Sequence, residues 1–91
     1  MNEPKPPQIN ATPTAAFANV ARMRHTQTEF YLDFGQASLD QAGVANLVSV
    51  IVMTPQHTKQ LLLALGDNVR RYEARFGEIE APEPPPPGVV Q

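Results

Sequence analysis

His25, His57, Glu29 and Asp33 are the residues best suited to proton transfer or metal binding by their chemical type. The two histidines stand 32 positions apart, and no carboxylate is placed by spacing to orient either ring. Glu29 and Asp33 share one face of a strand-like alternation, an arrangement that paired acid/base carboxylates also use. Arg22 and Arg24 lie on the preceding alternating stretch, so an ion pair across a hairpin accounts for these carboxylates without catalysis. The chain contains no cysteine, no Gly-x-Ser-x-Gly elbow, no phosphate-cradling or dinucleotide glycine loop and no His-x-x-x-His pair. We therefore assign no catalytic residue, no metal ligand and no cofactor, and expect a protein that is not an enzyme.

Two candidate binding surfaces remain. Arg22, Arg24 and His25, with Tyr31 on the next strand, combine cations with an aromatic ring, as a nucleic-acid backbone and a stacked base would require. The acidic Glu29 and Asp33 on the same face oppose that use. The second surface follows the junction Val52-Met-Thr-Pro-Gln-His57: Gln56, His57 and Lys59 at a helix start, with Leu63 among polar neighbours further along, suit a protein partner.

These residues need elements to position them. Phe17 to His25 has a period of two, as does Glu29 to Phe34, where Phe30, Leu32 and Phe34 point one way and Glu29, Tyr31 and Asp33 the other. His25 to Thr28 is short and polar, as a hairpin loop requires. Gly35 to Gly43 has no sustained period and reads as a loop. Val44 to Met53 is apolar on both faces, with Val44, Val48, Val50 and Val52 on one and Ala45, Leu47, Ile51 and Met53 on the other, so both faces need cover.

Thr54 then suits an N-cap and Pro55 the first helical position, where its missing N–H is not needed. On the helix, Leu61, Leu62, Leu65, Val69, Tyr72 and Phe76 fall within an arc of about 100°. Gly77 is placed to end it. Arg70, Arg71 and Arg75 form a basic stripe near its C-terminus, where cations complement the helix dipole.

Strands at about 18–25, 28–34 and 44–53 and a helix at about 55–77 define an α+β fold: a three-stranded antiparallel sheet followed by one long C-terminal helix, packed across one sheet face. The domain is 17–79, between a Pro-rich tail at 1–16 and another at 80–91 that contains Pro82 and the run Pro84 to Pro87. Such tails bury too little apolar surface to offset chain entropy. The second has a composition that favours polyproline II, as a spacer or solubilising end.

Within 17–79, Arg22, Arg24, Lys59, Arg70, Arg71 and Arg75 balance Glu29, Asp33, Asp40, Asp67, Glu73 and Glu78, so the net charge of −2 resides in the tails. A neutral body provides no global field for nucleic acid. No segment approaches the roughly 18 apolar residues of a membrane span. Ala16-Phe17-Ala18 lacks the upstream apolar region of a secretion signal, and a cytoplasmic location is expected.

Glu29-Phe-Tyr-Leu-Asp-Phe-Gly35 and Ile51-Val-Met-Thr-Pro-Gln-His-Thr-Lys59, followed by Leu65, Asn68, Tyr72, Glu73, Phe76 and Gly77, carry a resemblance. The chain resembles a family of short bacterial and archaeal proteins known as a domain of unknown function. Its members show a Glu-Phe-x-Leu-Asp-Phe-Gly strand and a Met-Ser-Pro-Gln-His-Ala-Lys helix start. The resemblance spans 17–79, implies a small soluble β-β-β-α protein and transfers no activity.

A body of little more than 60 residues buries only about 60% of its unfolded surface, and without a disulfide or metal it gains most from oligomerising. The expected assembly is a homodimer, formed by joining the sheets or stacking them through the apolar third strand. The expected function is a small dimeric interaction module for a protein partner. The alternative is a small dimeric nucleic-acid-binding protein using Arg22, Arg24 and Tyr31.

Overall fold

A computed structural model describes residues 5–10, 13–80 and 87–90. Three strands, β1 (Val20–His25), β2 (Phe30–Ala37) and β3 (Ala45–Met53), precede a 22-residue helix, α1 (Pro55–Phe76), and a two-residue strand, β4 (Val89–Val90). The sheet is antiparallel with order β3-β2-β1-β4. The fold is therefore α+β, as the alternating stretches and the longer helical pattern predict.

The β1–β2 hairpin closes on Thr26, whose N–H donates to the Glu29 carbonyl at 2.9 Å and whose hydroxyl accepts from the N–H groups of Thr28 and Glu29, each at 3.2 Å. In the β1–β2 register Arg22 stands opposite Asp33, Met23 opposite Leu32 and Arg24 opposite Tyr31. Side chains directly opposite share a face. One face thus carries Ala21, Met23, Phe30, Leu32 and Phe34, and the other carries Arg22, Arg24, Tyr31 and Asp33, in agreement with the alternation.

The end of β2 and its register with β3 differ from the sequence reading, and both trace to Gly35. Strand β2 does not stop before Gly35 but runs on to Ala37, so the connecting loop is shorter than 35–43. The register of β2 with β3 also slips there: Phe34 pairs with Ser49 and Gly35 with Leu47, which leaves Val48 as an extra residue in a bulge. The slip places Leu47 and Ala45 on the same face as Val50 and Val52, whereas strict alternation puts them on opposite faces. A Cβ at Gly35 would lie 2.7 Å from the Asn46 carbonyl oxygen, so this close passage of two backbones requires glycine.

The chain end also departs from the expected tail. Val89 and Val90 pair with Arg22 and Ala21 on the outer side of β1, and the Met23 N–H donates to the Gly88 carbonyl at 2.8 Å. Most of the expected polyproline segment lies outside the described residues. Residues 5–10 and 13–18 are exposed and without regular structure.

The helix begins as its residues dictate. Thr54 caps it, its hydroxyl accepting the His57 N–H at 3.2 Å, and Pro55 opens the first turn. Gly77 ends it at a positive φ of 100°, donating its N–H to the Glu73 carbonyl at 2.9 Å. The expected packing of α1 across the sheet is not what the structure shows. No residue of α1 is buried, and Leu62, Leu65 and Phe76 are 67%, 58% and 65% exposed. Only the first turns approach the sheet, where Pro55, Thr58, Lys59 and Leu62 meet Met23 and Phe30 around a cleft. Propensity and capping suffice to specify a helix, but an amphipathic face does not encode whose surface it covers.

The resulting core is small. Among the described residues Ala21 and Leu32 are the buried hydrophobic side chains, and β3 is exposed along both faces except at Met53. Strand β3 is also the outermost strand on its side of the sheet, carrying nine residues without a charge or a proline.

Candidate functional site

The polar face of the β1–β2 hairpin holds the most organised group of side chains. Asp33 is 1% exposed, yet it lies on a sheet face that no helix covers. Its cover is the two arginines opposite and diagonal to it on β1. Arg22 Nε and one of its terminal nitrogens both lie 2.9 Å from Asp33 Oδ2. Arg24 forms a fork, with Nε donating to Oδ2 at 2.9 Å and a terminal nitrogen to Oδ1 at 3.2 Å.

Fork geometry of this kind is the stronger form of charge-assisted hydrogen bond. Asp33 is accordingly held below the usual carboxylate range, chiefly by the hydrogen bond from Arg24 and then by that from Arg22, against the opposing effect of desolvation. Arg24 is raised by the same hydrogen bond to Asp33. The arginine side chains remain about half exposed, so the carboxylate is screened from water by groups that themselves face water.

The network extends to Tyr31. Its ring lies beneath Arg24, with the guanidinium carbon 4.6 Å from the ring centroid, and its hydroxyl donates to Glu29 Oε1 at 3.1 Å. That hydrogen bond is the leading cause of a raised Tyr31 pKa, with the nearby Glu29 charge adding to it. A shallow depression of about 400 Å³ borders the cluster, reached by Val20, Leu47 and Val89 as well as Arg22 and Asp33.

The ion pair foreseen across the hairpin is thus present for Asp33, with both arginines at once, while Glu29 serves the tyrosine. A carboxylate saturated by two guanidiniums has a low proton affinity and is a poor general base. Phosphate recognition by Arg22 and Arg24 would have to compete with Asp33 for the same N–H donors. His25 belongs elsewhere. It shares the apolar face, with its ring stacked on Phe30 at 5.2 Å between centroids, so the sheet separates it from Arg22, Arg24 and Tyr31.

The residues proposed for a protein partner lie at the start of α1. His57 Nδ1 is 2.8 Å from the Thr54 hydroxyl, so its ring reinforces the cap. Gln56 and Lys59 are exposed in the same turns, and Lys59 forms part of the cleft beside Met23 and Phe30. Leu63 is 64% exposed and stands apart from Leu62 and Leu65 around the helix. The late basic stripe is partly paired, with Arg71 3.1 Å from Asp67 one turn back and Arg70 at 4.0 Å. Among the described residues no group of three His, Cys, Asp or Glu side chains is placed to hold a metal ion.

The sequence reading missed the cleft of about 450 Å³ formed by Met23, Phe30, Pro55, Thr58, Lys59 and Leu62. Its only sequence signal is that the inward residues of the hairpin end face the first helical turn across Thr54.

Residues 2–81 match the model of a family described as "Protein of unknown function (DUF3467)". The chain belongs to this family. The DUF3467 match takes in β1, β2, β3 and α1, with the arginine–aspartate cluster and the cleft, and ends before β4. Comparison with curated proteins and with solved structures found no match. Among the described residues, no helix of this DUF3467 protein is long and apolar enough to cross a membrane.

Proposed function

We propose that the protein is a non-enzymatic interaction module that works as a homodimer and presents an exposed surface to a protein partner. One observation carries this reading: the apolar stripe of α1 stands open while, among the described residues, the buried hydrophobic side chains are Ala21 and Leu32. Apolar patches of this extent on soluble proteins mark interaction surfaces. A helix whose own sheet covers only its first turns depends on another molecule for most of its stability.

The partner surface is the opposite side of α1, around Leu63, with Gln56 nearer the cap, while Lys59 lines the cleft. The use of Arg22 and Arg24 by Asp33 favours a protein partner over a nucleic acid.

Light scattering is expected to give a dimer mass at micromolar concentration. A tagged pull-down from the native host, with and without nuclease, is expected to retain a protein partner in both arms and to lose it with Leu63→Glu, while the dimer mass is unchanged. Loss of everything captured on nuclease treatment, together with salt-sensitive binding weakened by Arg22→Ala plus Arg24→Ala, would instead establish the nucleic-acid reading.

A further inference from the structure

Thr58, Leu62, Leu65, Val69, Tyr72 and Phe76 follow one another along α1 at intervals of four, three, four, three and four. That is the spacing of a two-helix seam, in which apolar residues recur on average every 3.5 positions or so. Leu62, Leu65, Val69, Tyr72 and Phe76 are all exposed in the single chain, and Thr58 and Leu62 border the cleft beside the sheet. We propose that α1 pairs antiparallel with α1 of a second copy, and that Phe76 of each copy seats in the cleft at the other's helix start. The proposal rests on the homodimer reading above and specifies its interface.

Direction follows from size and charge. In the antiparallel arrangement Phe76 faces Thr58 of the second copy, Tyr72 faces Leu62 and Leu65 faces Val69, so the bulky end of each helix meets the slender end of the other. A parallel pair would oppose Phe76 with Phe76 and Tyr72 with Tyr72 at one end, and leave Thr58 against Thr58 at the other. The flanking positions agree. The antiparallel register brings Lys59 to Glu73 of the second copy, one opposite-charge pair on each side of the two-fold axis. Glu73 accepts the Ile79 N–H through Oε2 at 2.8 Å, and among the described residues its Oε1 has no partner. Gly66, next to the axis, has open space beyond its own Arg70 side chain, which lets the two backbones approach closely.

The cleft supplies the end of the seam. Thr58, Lys59 and Leu62, which the register places against Phe76, Glu73 and Tyr72, are the helical residues that line it, together with Pro55, Met23 and Phe30. A phenyl ring arriving at Thr58 therefore enters an apolar opening rather than water. Two and a half heptads are short for a free-standing coiled coil, and two clefts filled by aromatic rings extend the contact onto the sheets.

The cysteine-free chain allows a direct test. Two full-length single-cysteine variants, Asn68→Cys and Thr58→Cys, are treated with a short bismaleimide after light scattering. Asn68 lies beside the two-fold axis, whereas the two copies of Thr58 are separated by about 27 Å, 18 residues at about 1.5 Å each. The expected result is a dimer mass for both variants, efficient covalent dimer from Asn68→Cys and none from Thr58→Cys. Covalent dimer from Thr58→Cys would overturn the antiparallel direction. A dimer mass with no cross-link from either variant would place the interface on the sheets and overturn the proposal while leaving the homodimer reading intact. A monomer mass for the unmodified chain would overturn both.

Discussion

Leu65→Ala tests the open helical face with a magnitude that can be worked from the structure. Complete burial of a leucine side chain is worth about 1.5–3 kcal/mol. Leu65 is 58% exposed in the single chain, so covering the remainder is worth about 1–2 kcal/mol per copy. A symmetric dimer contains two such residues, which gives about 2–4 kcal/mol and, at about 1.4 kcal/mol per tenfold, a rise in Kd of about 30- to 700-fold. Alanine is the strongest helix former, so α1 itself is not weakened by the change. Sedimentation equilibrium over a dilution series measures the constant, and circular dichroism at high concentration checks that helix content is retained. An unchanged Kd with intact helix content would refute the reasoning, because it would mean that the seam residues remain in water in the assembled protein.

Thr54→Ala should lower stability to urea by about 1 kcal/mol through loss of the cap, and Thr54→Ser should recover most of it. Gly35→Ala forces the 2.7 Å contact with the Asn46 carbonyl to relax by backbone movement; a loss of about 1–3 kcal/mol is expected in thermal unfolding, comparable with overpacking a well-fitted site. The Asp33 carboxyl is held below its ordinary range in the folded state. Its contribution to stability is therefore present above the unfolded-state value and disappears as pH falls through the folded-state value. Acid unfolding of the native chain should show that loss, and Asp33→Asn should be less stable near neutral pH and show a flatter acid limb.

The hairpin was legible in the sequence because its two faces differ so sharply in chemistry. Phe30, Leu32 and Phe34 alternate with Glu29, Tyr31 and Asp33, and a shift of one residue would exchange the faces entirely. The same clarity made the Asp33 ion pair visible, since opposite charges on the two neighbouring strands of a hairpin share one face. The helix start and end were readable from local chemistry at Thr54, Pro55 and Gly77.

The bulge was not readable in the same way. Gly35 looks like the beginning of a loop, and only the close passage of Asn46 reveals it as a point where two backbones cross within a continuing strand. Strand β3 offered no correction, because Leu47, Val48, Val50 and Ile51 are apolar whichever way they point. The position of α1 was hidden for a related reason. Its stripe states that something apolar must cover it, and the same stripe would serve its own sheet or another chain.

The uncharged outer edge of β3 adds a geometric consequence to the proposed helix pair. Among the described residues its outer N–H and C=O groups have no strand beside them and form a second self-complementary surface, since two antiparallel edges can hydrogen-bond about a two-fold axis of their own. One two-fold contact closes a dimer, whereas two different ones on the same protomer build a larger assembly, closed where their axes intersect and an open repeat where they do not. If α1 occupies the first, whatever shields β3 decides whether growth stops at two copies or continues. Residues 45–53 are thus the place where a capping partner, or a lysine introduced by design, would set the size of the assembly.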